Sequence, residues 1–176
     1  MRSTVARYCA RRNSRLIYSA AMTPELTQLL TAYREAFTSR GWHGATLLES
    51  LKDVDQATAS WRPSPHRHNI WEVVVHAAYW KRIVRERLTG KTDATFPYAG
   101  DDWFACPNGS RTFAQDVALL KREHQRLGKV IGAIGRALHK PVHGKRNSAA
   151  FTIRGIIAHD LYHAGQIQLL KALAGS

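Results

Sequence analysis

Two histidines four residues apart, His159 and His163, and a third, His76, inside a strongly apolar run are the side chains here best suited to chemistry. A separation of four puts His159 and His163 on one face of a helix, within reach of a common ion. Ile156, Ile167 and Leu170 neighbour that face and turn it towards an interior. Alone, an H-x-x-x-H pair is a weak signal that two satisfied or exposed histidines explain as well. His76 lies in Ile-Trp-Glu-Val-Val-Val-His-Ala-Ala-Tyr-Trp, three residues after Val73 and four before Trp80, and so belongs to a core-facing stripe. A lone histidine there is commonly a core residue bonded to a backbone carbonyl. Three inward-facing imidazoles are costly to bury unless their nitrogens are matched, and one divalent ion matches all three. Three nitrogen ligands with a position left for water or substrate are the pattern of an open, catalytic centre. Imidazole suits zinc, nickel, copper or iron, so residue type does not choose the metal.

The other candidates carry less. Of nine histidines, His66, His68, His139 and His143 sit among Pro, Arg, Lys and Gly and read as exposed loop residues, while His124 in Lys-Arg-Glu-His-Gln-Arg reads as part of a solvated helix face. The two cysteines, Cys9 and Cys106, have neither metal-knuckle nor redox-motif spacing. Cys106 reads as a half-exposed loop thiol, and a reduced, cytoplasmic setting is expected.

Helices must position these residues. Leu26, Leu29, Leu30, Tyr33 and Phe37 form an apolar stripe from Pro24 to about Arg40, with Thr23 as N-cap, Pro24 at the first position and Gly41 as the stop. Shorter helices are expected around Ala45–Leu51 and Asp55–Ser60, before Pro63 and Pro65. Asn69 with Glu72 opens a long helix to Leu88, buried along Ile70, Val73, Val74, Ala77, Trp80 and Val84 and ended by Gly90. Thr112 with Gln115 makes a capping box for a helix running to about Leu138, and Thr152 caps a last one through Leu173. Between Gly90 and Arg111 lies a connection longer than most helix–helix loops, the mark of a crossover or a functional lid. No segment alternates like a strand, so the expected fold is all-α, a four-helix bundle.

The chain of 176 residues is the size of one domain, and its apolar and charged fractions, 44% and 22%, exclude global disorder. No stretch approaches a membrane span. The net charge of +13 raises nucleic acid or an anionic surface as a partner. Arg2, Arg7, Arg11, Arg12 and Arg15, with no acidic residue among positions 1–22, account for five of those charges and leave +8 spread over the helices. Residues 1–21 are expected to be a basic extension, with a transit peptide or a disordered arm as the readings of its composition, and Met22, just before the helix-start signals, as the alternative start of a domain spanning 22–176. Without a secretory h-region, export is not expected.

Four segments, in order, resemble the DinB/YfiT-like family: Gly41-Trp42-His43-Gly44; His68-Asn69-Ile70-Trp71-Glu72 continuing to His76-Ala77-Ala78-Tyr79-Trp80; Asp101-Asp102-Trp103; and His159-Asp160-Leu161-Tyr162-His163-Ala164-Gly165-Gln166-Ile167. The resemblance spans the chain from about Met22 onward. It implies an up-down-down-up four-helix bundle with its long crossover between the second and third helices, and a metal triad of His76, His159 and His163. Relatives in that family use the metal to activate a low-molecular-weight thiol for S-transfer, and others are described as metal-dependent hydrolases. The resemblance therefore implies a metal-dependent enzyme, with zinc, nickel, iron or a similar divalent ion as cofactor and a small-molecule substrate; a homodimer is one assembly open to it. On that reading His43 is a candidate for proton transfer, and Trp42, Trp71, Tyr162 and Gln166 are candidates for lining the pocket. Asp160, next to a ligand, is expected to point away from the metal. The alternative is a non-enzymatic, metal-stabilised helical module that binds nucleic acid or protein through Lys81, Arg82, Arg85, Lys121, Arg122 and Arg126. No recognised DNA-binding motif supports it, so no nucleic-acid partner is expected.

Overall fold

The structure, a computed structural model, describes residues 22–38 and 41–175. The expected basic extension 1–21 lies outside the described residues. Among those described, the chain is all-helical: α1 (Pro24–Glu35), α2 (Leu47–Ser50), α3 (Gln56–Ser60), α4 (Ile70–Thr89), α5 (Phe113–Ala133) and α6 (Ala149–Ala174), with a 3-10 turn at Gly135–His139. None of the helices is long and apolar enough to cross a membrane.

The caps explain where most helices begin. Thr23, Asp55 and Asn69 each accept from a backbone N–H in the first turn, and Thr46 with Glu49 and Thr112 with Gln115 form complete capping boxes. Gly90 ends α4 in the left-handed region at φ 68°, where only glycine sits without strain. Three boundaries differ from expectation. Helix α1 stops at Glu35, five residues early, because the carbonyls of Ala36 and Phe37 accept from Leu47 and Leu48 of the next segment instead of continuing the helix. Helix α5 stops at Ala133, and the chain tightens into the 3-10 turn at Gly135, which has φ 48°. Helix α6 begins one turn before Thr152, since Ser148 already caps it through the Phe151 N–H.

The four long helices pack on one another. Trp71 and Arg85 of α4 meet Asp116 and Glu123 of α5. Tyr33 of α1 stacks on His124 of α5, with Gly128 and Gly132 letting α1 approach. One apolar cluster gathers Trp71, Val74, Tyr79, Phe104, Leu120 and Ile167; another gathers Leu26, Tyr33, Leu127, Ile131 and Ile153. Trp80 touches both. Burial of each large apolar side chain contributes roughly 1.5–3 kcal/mol, so these clusters set the relative placement of α4 and α6, on which the histidines stand.

Three polar residues lie deeper than their sequence context suggested. His124 is 8% exposed, its ring sandwiched between Tyr33 and Phe37 at centroid distances of 4.3 and 3.8 Å. It occupies the buried step between Leu120 and Leu127, and the polar residues around it face elsewhere. Burial pushes its pKa down to about 3, and its Nδ1 has no hydrogen-bond partner. Cys106 is buried, not half-exposed, and burial raises its thiol to about 11. Lys81 is fully buried, its Nζ bonded to both carboxylate oxygens of Asp160 at 2.8 and 2.6 Å.

Candidate metal centre

Helices α4 and α6 bring the three histidines to one point. His76 comes from the middle of α4, and His159 and His163 from successive turns of α6. His76 Nε2 lies 3.1 Å from His159 Nε2, and His163 Nε2 lies 3.0 Å from the same atom. The three residues form the one group of candidate ligands that converges this way among the described residues.

Partners behind the rings fix two of the tautomers. His76 Nδ1 is 2.9 Å from the backbone oxygen of Asp102, an acceptor only, so Nδ1 donates and the Nε2 lone pair faces the other rings. His163 Nδ1 is 2.6 Å from Gln166 Oε1, which the amide orients by donating through Nε2 to the Tyr162 hydroxyl at 3.1 Å. His163 Nε2 is therefore also an acceptor. His159 can donate from Nε2 to only one of the two, and its Nδ1 is buried without a partner. At least one of the convergent nitrogens is left unmatched in a metal-free site, which costs on the order of 1–3 kcal/mol. A cation matches all three. Tetrahedral zinc with Zn–N distances of about 2.0–2.1 Å spaces its nitrogens roughly 3.3 Å apart, close to the two spacings from His159, and all three ligand atoms lie within 4.8 Å of one another. The residues fit a divalent ion.

The surroundings keep the imidazoles neutral, as ligation demands. Burial, reinforced by the neighbouring rings, lowers His159 to about 2, and burial lowers His163 to about 4 and draws His76 below the usual histidine range.

The long connection between α4 and α5 supplies the lid of the centre. Asp102, at φ 61°, turns its carbonyl onto His76 and its carboxylate onto the Trp80 indole N–H at 2.8 Å. The next residue, Trp103, stacks on His76 at 3.9 Å and on His68 at 3.6 Å. His68, expected as a plain loop residue, also reaches Glu72, whose carboxylate pairs with Arg62 and accepts from the Cys106 N–H. Spacing in sequence gave no warning of the Asp102 and Trp103 contacts; only the Asp-Asp-Trp segment itself marked the loop.

Of the other candidates, Gln166 is at the site as the partner of His163, and Tyr162, 64% exposed, packs edge-on to His163 and holds Gln166. Trp42 is fully exposed and is not among the residues lining the described depressions. His43 is exposed and lies over Gly41 within the 41–44 turn; no contact joins it to the triad. Trp71 is a core residue that donates to Asp116 at 2.7 Å, away from the histidines. Asp160 points away from the triad into its ion pair with Lys81. Two depressions flank the centre: one of about 200 Å³ in which His159 forms part of the wall, and one of about 460 Å³ bordered by Gln166, Trp103, Leu169 and Leu173.

No curated protein and no solved structure matches the chain. The family model of the DinB superfamily matches residues 38–167, a stretch that holds all three histidines, the Asp102–Trp103 lid and Gln166. With most of its length matched, the chain belongs to the DinB superfamily.

Proposed function

We propose that the protein is a metal-dependent enzyme that binds one divalent ion, zinc, nickel or iron, through His76, His159 and His163 and activates a small nucleophile against a small-molecule substrate. The observation that carries this reading is the convergence of the three Nε2 atoms, two of them held as acceptors by Asp102 and Gln166. A divalent ion in that position supplies Lewis acidity, which brings the pKa of water or a thiol towards neutrality. The chain itself orients the ligands through Asp102, Gln166 and Tyr162, keeps the rings neutral by burial, and excludes bulk water from His76 with the Trp103 indole. Among the described residues three protein ligands converge, whereas closed structural sites use four, and this favours catalysis over a structural staple. Thiol S-transfer and hydrolysis share this arrangement; S-transfer to an electrophile is the reading carried forward from the family resemblance. His43 and Trp42 have no part in it.

The up-down-down-up bundle belongs to the same reading. Trp71 and Arg85 of α4 meet Asp116 and Glu123 of α5 in rising order, which supports parallel second and third long helices joined by the 90–112 crossover. His76 and Lys81 of α4 meet His163 and Asp160 of α6 in falling order, which supports an antiparallel pair. A nucleic-acid partner is not part of the proposal. Lys81 is buried, and Arg82, Arg85 and Arg126 are engaged by Glu86, Asp93 and Glu123, so little of the proposed basic face is free for phosphate.

Elemental analysis of untagged protein tests the site. About one divalent ion per chain is expected, with tight binding lost in His76→Ala, His159→Ala and His163→Ala and retained in His124→Ala and His139→Ala. Full metal content in all five variants overturns the assignment. In the cobalt-substituted protein, a visible spectrum that responds to a small thiol supports an accessible position, and an unresponsive one reduces the centre to a structural role.

A further inference from the structure

The depression walled by His159 runs between the second half of α4 and the first half of α6. Trp80, Val84 and Arg87 line it from α4 at spacings of four and three, one face of the helix. Phe151, Gly155, Ile156 and His159 line it from α6. His159 is the least buried of the three histidines, and none of the other described depressions has a triad ring in its wall. Of the described depressions, this one reaches a ring of the centre.

Its charge is one-sided. Arg82 and Arg85, on the same helix, are each tied to carboxylates. Arg87 has no carboxylate and no hydrogen-bond acceptor on its guanidinium among the described residues; it is half-buried, with its guanidinium carbon 5.3 Å from the Trp80 ring centroid. That indole is itself fixed by Asp102, and its centroid is 6.3 Å from the His159 ring. One immobilised indole thus bridges an unpaired cation and the candidate metal centre. Val84, Ile156 and Phe151 make the remaining wall largely apolar, with Asn147 and Thr152 as its neutral polar members, and Gly155 opens space where a side chain would stand, with nothing within 4 Å of a Cβ placed there.

We propose that the substrate of this centre is a small compound with an apolar or aromatic body and an oxyanion, and that Arg87 binds the oxyanion while Trp80 and Phe151 flank the body. The proposal rests on the metal-centre reading for the word substrate, but the anion site stands on Arg87 and the depression alone. A guanidinium offers a planar fork of donors that matches a carboxylate or phosphonate. The volume of about 200 Å³ limits the occupant to roughly the size of a single substituted ring.

The probes are benzoate, phenylphosphonate and the neutral isostere benzamide, titrated into zinc-loaded and metal-free protein. Binding is read by calorimetry and by the indole N–H resonance of Trp80, assigned with Trp80→Phe. Both anions are expected to bind and shift that resonance with or without zinc, and benzamide to bind at least about tenfold more weakly. Arg87→Gln should weaken benzoate by about 10- to 100-fold, the loss of a charge-assisted hydrogen bond, with zinc content unchanged, and Arg87→Lys should recover much of it. Equal binding of benzoate and benzamide, no binding of any probe, or benzoate binding indifferent to Arg87→Gln overturns the proposal. Those results leave the metal reading intact if zinc still loads. Failure of zinc to load with an Arg87-dependent benzoate site present sinks the metal reading instead.

Discussion

Asp160→Asn tests how the two ligand-bearing helices are held together. Asp160 and Lys81 are both 0% exposed, and the ammonium contacts both carboxylate oxygens at 2.8 and 2.6 Å. Burial pushes Lys81 below and Asp160 above their ordinary pKa values, and each partner's charge opposes that push. The substitution removes the negative charge and leaves an ammonium with the Tyr33 and Phe37 rings, 5.1 and 5.0 Å away, as its other neighbours. Removing one member of a buried pair costs roughly 3–5 kcal/mol, because the other charge stays desolvated. For a domain of this size, about 2–4 °C of Tm is lost per kcal/mol, so a fall of roughly 6–20 °C is expected. The double replacement Lys81→Met with Asp160→Leu removes both charges with side chains of similar length. It should be close to wild type or more stable, and should still bind zinc, since neither side chain touches an imidazole nitrogen. Urea denaturation of wild type, Lys81→Met, Asp160→Leu and the double variant completes the cycle. A cost below about 1 kcal/mol for Asp160→Asn, the range of a surface pair, or a double variant that loses the sum of both single losses, refutes the reasoning.

Gln166→Leu frees His163 Nδ1 and is expected to lower zinc affinity by about 10- to 100-fold, as loss of a ligand's hydrogen-bond partner does, with little change in melting temperature; competition with a chromophoric chelator measures it, and unchanged affinity shows that Gln166 does not orient the ring. His124→Phe addresses pH. The folded pKa of about 3 is depressed, so below the unfolded value of about 6.5 the unfolded chain takes up a proton that the folded chain refuses, and stability falls with pH until about 3. Between pH 7.5 and 5 the wild type should lose about 2 kcal/mol more than His124→Phe by urea midpoints; parallel curves for the two proteins refute the buried, neutral assignment.

Local signals in the sequence marked most helix starts. Thr23, Asn69 and Thr112 cap where their side chains can reach a free N–H within three residues, an interaction that depends on nothing distant. The apolar stripes likewise placed His76, His159 and His163 on inward faces, because helical periodicity alone decides which residues share a side. The same periodicity ran through His124, whose step from Leu120 and to Leu127 matches the buried stripe; its charged neighbours masked it. Boundaries were less legible where the deciding partner is remote, as with Ala36 and Phe37, whose carbonyls are taken by α2.

The sequence by itself therefore determined the helices, the inward direction of the three imidazoles and the family. Tertiary structure decided what meets them. The Asp102 carbonyl and Trp103 arrive at His76 across 26 and 27 residues of chain, Lys81 finds Asp160 across 79, and among the described residues Arg87 is left without a carboxylate while Arg82 and Arg85 are not. Periodicity gives a residue's face on its own helix, but the partner opposite that face depends on how two helices cross and where the connecting loop folds back, and both are set by packing between segments far apart in sequence.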